Sequence, residues 1–108
     1  MSLQDVASVG EVPRSGRLTG DFRQKVEAAV HALGPGEVVS YGEIAEQAGY
    51  PGAARAVGGI LRDASPSMPW WRVIAADGRL VSPSAEEQAA RLRSEGVTVR
   101  GGRVVMRP

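Results

Sequence analysis

Two residue types limit the chemistry open to this 108-residue chain: it has no cysteine, and its one histidine is His31. Without thiols there is no disulfide, no thiolate metal site and no thiol nucleophile. A lone histidine builds neither a multi-histidine metal centre nor the usual Ser-His machinery. Neither a cofactor nor a metal is therefore expected. What remains is arginine and tryptophan. Of thirteen basic residues only Lys25 is lysine. Residues 1–51 carry four bases against seven acids, and residues 52–108 carry nine arginines against five acids. A planar guanidinium suits phosphate and base contacts. Arginine-favouring codon usage would explain the ratio equally well, so the uneven distribution is the better pointer to an anionic partner.

Both tryptophans stand side by side in "MPWWRVIAADGRL", Met68 to Leu80. Neighbouring side chains of an extended strand point to opposite faces, so one core cannot easily bury both. That leaves open what the second large aromatic is for. A second constellation lies upstream. Arg55, Gly58, Gly59 and Arg62 fall at i, i+3, i+4 and i+7, a single stripe of a helix. Two glycines inside a helix cost roughly 1 kcal/mol each relative to alanine. A helix tolerates them where another backbone comes close, either a neighbouring helix or a nucleic acid with Arg55 and Arg62 reaching past the bare strip.

These residues need elements to hold them. Residues 1–19 mix Ser, Gly, Pro and charge without periodicity and read as a flexible arm ahead of one domain over 20–108. Phe22, Val26, Ala29, Val30 and Leu33 share one helical face, and Gly34-Pro35-Gly36 ends it. Ser40 and Glu43 have capping-box spacing for a second helix with Ile44, Ala45 and Ala48 inward. A third helix is predicted from near Gly52, with Ala53, Ala56, Val57, Ile60, Leu61 and Ala64 inward, giving a helix-turn-helix. A small hairpin is predicted around Asp77-Gly78 and another around Gly101-Gly102. Between them Ser84 and Glu87 suggest a second capping box and a helix to about Glu95. The fold class is α+β, a small winged helix-turn-helix-like domain with short β-hairpins. No apolar run reaches the roughly 18 residues of a membrane span, and no signal-peptide pattern opens the chain. The expectation is a cytoplasmic protein, nucleoid-associated if bacterial, without a membrane partner. It is also expected to be a monomer, since no heptads or second apolar face support a dimer.

Taken together, "VSYGEIAEQAGYPGAARAVGGILRD", "PWWRVIAADGRL" and "EGV" at Glu95 to Val97 resemble the DNA-binding domain of O6-alkylguanine-DNA alkyltransferases. More closely they resemble the alkyltransferase-like proteins. The enzymes carry Pro-Cys-His-Arg-Val, whose cysteine takes the alkyl group from the base. Here Trp70 holds the cysteine position and Trp71 the histidine position. The resemblance covers about residues 21–100. It implies that Tyr41 helps rotate the target nucleotide at its phosphate and that Arg55 enters the base stack. Gly58, Gly59 and Arg62 would lie on the DNA. Trp70, with Trp71, Arg72, Val73 and Ser84, would form the lesion pocket.

The chain departs from that pattern in four places. Trp71 replaces the histidine. Glu95, which supports that histidine in the enzymes, has none to support. The link from Arg55 to Trp70 is two residues shorter than in typical enzymes, with Ala64 where they carry a hinge asparagine. Pro83 stands where some relatives have an arginine. The resemblance implies a non-enzymatic sensor that binds double-stranded DNA, flips out an O6-alkylguanine, transfers nothing and signals to nucleotide excision repair proteins. Two other readings stand beside it: a winged helix-turn-helix regulator or architectural DNA binder without lesion specificity, and a hydrolase using Glu95.

Overall fold

In the computed structural model of the chain, residues 20–63 and 68–105 are described; the predicted arm 1–19 and the hinge position Ala64 lie outside them. Helix α1 (Gly20–His31) follows its apolar stripe. Phe22, Val26 and Val30 are buried, with Leu33 just past its end, while His31 is exposed. The Phe22 ring meets Tyr50 edge to face at 4.8 Å, which ties α1 to the turn between the next two helices.

Strand β1 (Val39–Ser40) runs directly into α2 (Tyr41–Gln47). The capping box forms as expected: Glu43 N–H donates to Ser40 Oγ at 3.0 Å, and Ser40 N–H donates to Glu43 Oε1 at 2.8 Å. Helix α3 (Ala54–Arg62) begins two residues later than the sequence suggests. Gly52 sits at φ +90°, a left-handed conformation that cannot belong to a helix. Helices α1, α2 and α3 close around Ile44, Ala45, Ala48 and Val57, with Met68 and Val73 completing this cluster.

The remaining elements are a 3₁₀ turn (Trp70–Arg72), β2 (Val73–Ile74), α4 (Ala85–Ser94), β3 (Val99–Arg100) and β4 (Arg103–Val104). β2 pairs parallel with β1, Val39 opposite Val73 and Ser40 opposite Ile74. The predicted hairpin around Asp77-Gly78 is thus reduced to a turn, closed by Gly78 N–H to Ala75 O at 2.9 Å and Ala75 N–H to Arg79 O at 3.0 Å. The reason is burial on both sides: Val73 faces the three-helix cluster and Ile74 a second cluster with Leu80, Ala89, Leu92, Val99 and Val104. A strand covered on both faces suits parallel pairing. Past the turn, the chain bonds instead to the second hairpin, Val104 N–H to Gly78 O at 2.8 Å and Leu80 N–H to Gly102 O at 2.9 Å. That hairpin, β3 with β4 about Gly101-Gly102, forms as expected.

One predicted cap does not form. Ser84 precedes α4 at ψ 43°, not the extended value of 162° seen at Ser40, and its side chain caps nothing. Its would-be partner Glu87 accepts from Arg91 at 2.9 Å instead. The architecture is α+β, a helix-turn-helix with a small wing, as the sequence implied.

Candidate nucleic-acid interface

Trp70 and Trp71 lie in the 3₁₀ turn, not in a strand, so the opposite-face expectation is corrected. Their rings meet edge to face, with centroids 6.0 Å apart at 88°. They still part company. Trp71 packs against the second apolar cluster, with the Arg91 guanidinium 4.6 Å and that of Arg72 5.2 Å from its ring centroid. Trp70 instead forms part of a cavity wall.

Glu95 holds this turn from below. Its carboxylate accepts from Trp71 Nε1 at 2.9 Å, from Arg72 Nη2 at 2.6 Å and Nε at 3.0 Å, and from Gly36 N–H at 2.9 Å. Arg72 also reaches Leu33 O at 2.7 Å, linking the turn to the end of α1. The hydrogen bonds from Arg72, reinforced by Gly36 and Trp71, hold the Glu95 carboxyl down to about 2 against its partial burial. The indole N–H thus occupies an acceptor on Glu95, so replacing the histidine leaves this carboxylate fully engaged. A carboxylate so committed, and outside the cavity lining, is poorly placed as a base.

From above, Gln88 on α4 fixes the same turn. It is completely buried, and its Nε2 donates to Trp71 O at 3.1 Å and Val73 O at 3.0 Å. Its Oε1 has no partner among the described residues. That orphan acceptor carries a desolvation cost of about 1–3 kcal/mol. The sequence signal for Gln88 was its place on the inner face of α4, four residues before Leu92.

The cavity has a volume of about 310 Å³ and lies between α3, Trp70 and the segment Val81-Ser82-Pro83. Its lining brings together Tyr41, Arg55, Gly58, Arg62, Trp70 and Pro83, all singled out from the sequence, with Ala54, Leu61, Val81 and Ser82. Burial raises the Tyr41 pKa, with the Arg62 charge opposing, so the phenol stays a neutral hydroxyl that can donate to an anion. Arg55 and Arg62 are exposed and take part in no ion pair among the described residues. Four of the expected pocket residues sit elsewhere. Trp71 and Arg72 belong to the Glu95 network, Val73 is in the three-helix core, and Ser84 lies one residue past the cavity wall.

Among the described residues a Cβ on Gly58 would meet nothing nearer than Arg62 Nη1 and Tyr41 Cε1, both at 3.9 Å. One on Gly59 would meet, among them, only Arg62 Nη2, also at 3.9 Å. These are ordinary contacts with side chains, and among the described residues no neighbouring helix backbone requires the missing methyls. Among the described residues nothing but these side chains meets the bare strip.

Residues 21–97 match the DNA-binding domain family of 6-O-methylguanine DNA methyltransferase. A DNA base-flipping protein of Vibrio parahaemolyticus is 41% identical over 83 residues, covering 72% of this chain and 82% of that protein. Alkyltransferase-like protein 1 of Schizosaccharomyces pombe is 38% identical over 85 residues, covering 73% of this chain and 79% of that protein. The crystal structure of S. pombe Atl1 in complex with damaged DNA containing O6-carboxymethylguanine is similar with a TM-score of 0.71 at 36% identity, over 78% of this chain and 83% of that one. A methylated-DNA–protein-cysteine methyltransferase of Mycobacterium leprae is 48% identical over 64 residues, 56% of this chain but 38% of that protein. The matched segment, the helix-turn-helix and the tryptophan turn place the chain in the 6-O-methylguanine DNA methyltransferase DNA-binding family, beside its alkyltransferase-like and base-flipping members.

Proposed function

We propose that this protein is a non-enzymatic sensor of DNA damage. It lays α3 in the minor groove of duplex DNA, turns an O6-alkylguanine out of the stack, and holds it against Trp70. The observation that carries this reading is the cavity itself: a largely apolar recess that shares Arg55, Gly58 and Arg62 with α3 and takes Tyr41 from the start of α2. A base taken from the stack costs a few kcal/mol. Stacking on an aromatic ring returns about 1–3 kcal/mol, and the Arg55 guanidinium in the vacated gap returns a further part. Tyr41 offers its hydroxyl to the rotated phosphate, and the bare strip at Gly58 and Gly59 lets the DNA backbone approach.

No alkyl transfer follows, because the chain holds no thiol to accept the group. The lesion is held intact and serves as a mark for nucleotide excision repair, a role that rests on the family resemblance. The test is a tryptophan-fluorescence titration with two matched duplexes, one carrying O6-methylguanine and one guanine, followed by analysis of the recovered DNA. Tighter binding and quenching with the lesion, and complete recovery of the methyl group, are expected. Equal binding to both duplexes overturns the lesion reading, and loss of the methyl group overturns the non-enzymatic one.

A further inference from the structure

The wing carries an arrangement that the lesion cavity does not use. Arg103 on β4 pairs with Arg100 across the Gly101-Gly102 turn, and on its other side it forms an antiparallel bridge with Arg79. Directly opposed residues of antiparallel strands project from the same face, so Arg79, Arg103 and Arg100 form one transverse row. With strands about 4.8 Å apart, the row spans about 10 Å. Like charges directly opposite one another weaken a pairing, and all three residues are exposed, so the core does not ask for arginine at any of them. Among the described residues one carboxylate pairs with the row: Asp77 meets Arg79 at 3.4 Å, both side chains more than half exposed. The Arg79 backbone N–H, then the Arg79 and Arg103 charges, hold the Asp77 carboxyl below its usual range. Among the described residues this one ion pair leaves most of the row's charge unanswered.

The position of the row matters as much as its charge. Arg79 lies two residues before Val81, the cavity-wall residue whose 51% exposure marks it as an open lip. Two residues of chain span at most about 7 Å. The Leu80 N–H to Gly102 O bond fastens the lip to the hairpin that carries the other two arginines. A cationic row is therefore fixed beside the cavity mouth, built from β-structure and separate from α3.

We propose that Arg79, Arg103 and Arg100 form a second DNA contact, which grips backbone phosphates of the duplex flanking the flipped nucleotide. The proposal rests on DNA being the ligand, but not on the lesion preference, since phosphate contacts position the protein without reading the base. The test uses the full chain with Arg79→Gln, Arg100→Gln and Arg103→Gln combined, titrated against plain and O6-methylguanine duplexes from 50 to 200 mM salt. Each lost phosphate contact lowers the slope of log affinity against log salt by about 0.9. Three contacts make the slope about 2.7 shallower, so across that salt range the parent loses about fortyfold more affinity than the variant. The loss is expected to be equal on both duplexes, and the melting temperature at least as high as the parent's because opposed like charges are gone. A parent-like slope overturns the proposal, and a parent-like slope with a lower melting temperature assigns the row to the fold instead. The parent's own ratio of lesion to plain affinity reports separately on the sensor reading. A ratio of one alongside the shallower variant slope would retire lesion recognition and leave the phosphate row standing.

Discussion

Replacing Glu95 by Gln perturbs one side chain on which four donors converge: Trp71 Nε1, two nitrogens of Arg72 and the Gly36 N–H. The folded carboxyl sits at about 2 against an ordinary 4.5. At 1.36 kcal/mol per pH unit that gap corresponds to about 3 kcal/mol in favour of the ionised folded state. With 13% of the side chain still exposed, solvent screening leaves about 2–3 kcal/mol. Glutamine keeps the shape, loses the charge, and turns an NH₂ toward groups that also donate. At roughly 4–8 °C per kcal/mol for a domain of this size, melting at pH 7 is expected to drop by roughly 10–20 °C. The pH dependence follows from the depressed folded value. The stabilisation is fully present above about 4.5 and is lost as pH falls toward 2. Thermal melts of parent and variant by circular dichroism, stepped from pH 7 to pH 3, should therefore converge at the acid end. A difference under 3 °C at pH 7, or one that does not shrink between pH 5 and pH 3, would refute the carboxylate as the keystone of the turn.

Arg55→Ala is expected to weaken lesion-duplex affinity at least tenfold with an unchanged melting temperature; parent-like binding would remove the guanidinium from the flipping step. Gly58→Ala and Gly59→Ala, whose new methyls meet only 3.9 Å contacts, should each raise stability by about 0.5–1 kcal/mol yet weaken DNA binding. A gain in both would show that no backbone approaches the strip. Gln88→Leu leaves the Trp71 and Val73 carbonyls unpaired, at a cost of about 2 kcal/mol, and loosens the turn under Trp70. Urea melts should show that loss, together with a smaller lesion-to-plain affinity ratio.

Local signals were legible in the sequence where one element satisfied them alone. The α1 stripe of Phe22, Val26 and Val30, the Ser40-Glu43 box and the Gly101-Gly102 turn each depend on neighbours within a few residues. Ser84 shows the limit of such reasoning, since its spacing to Glu87 fits a box but its backbone angle does not present the hydroxyl. Pairing over distance was hidden. Nothing in Val73-Ile74 alone announces a parallel partner 34 residues upstream, so the Asp77-Gly78 turn read as a hairpin. The site was legible where residue type carried it, at Tyr41, Arg55, Gly58, Arg62 and Trp70, because the motifs set those types. The wall at Val81 and Ser82 and the clamp at Gln88 arise from packing between segments that are distant along the chain. Trp71 and Glu95 were each noticed from the sequence, but only the folded turn brings the indole N–H onto the carboxylate.

The division of labour between the two tryptophans is the point on which the sensor reading turns. It can be measured with Trp71→Phe, which leaves Trp70 as the sole indole, and Trp70→Phe, which leaves Trp71. Each is titrated with O6-methylguanine and plain duplexes while the emission is followed. Lesion-specific quenching in Trp71→Phe and none in Trp70→Phe is the expected result, with the preference for damaged DNA lost only in the latter. Quenching that follows Trp71, or that is the same in both variants, would contradict a lesion held against Trp70.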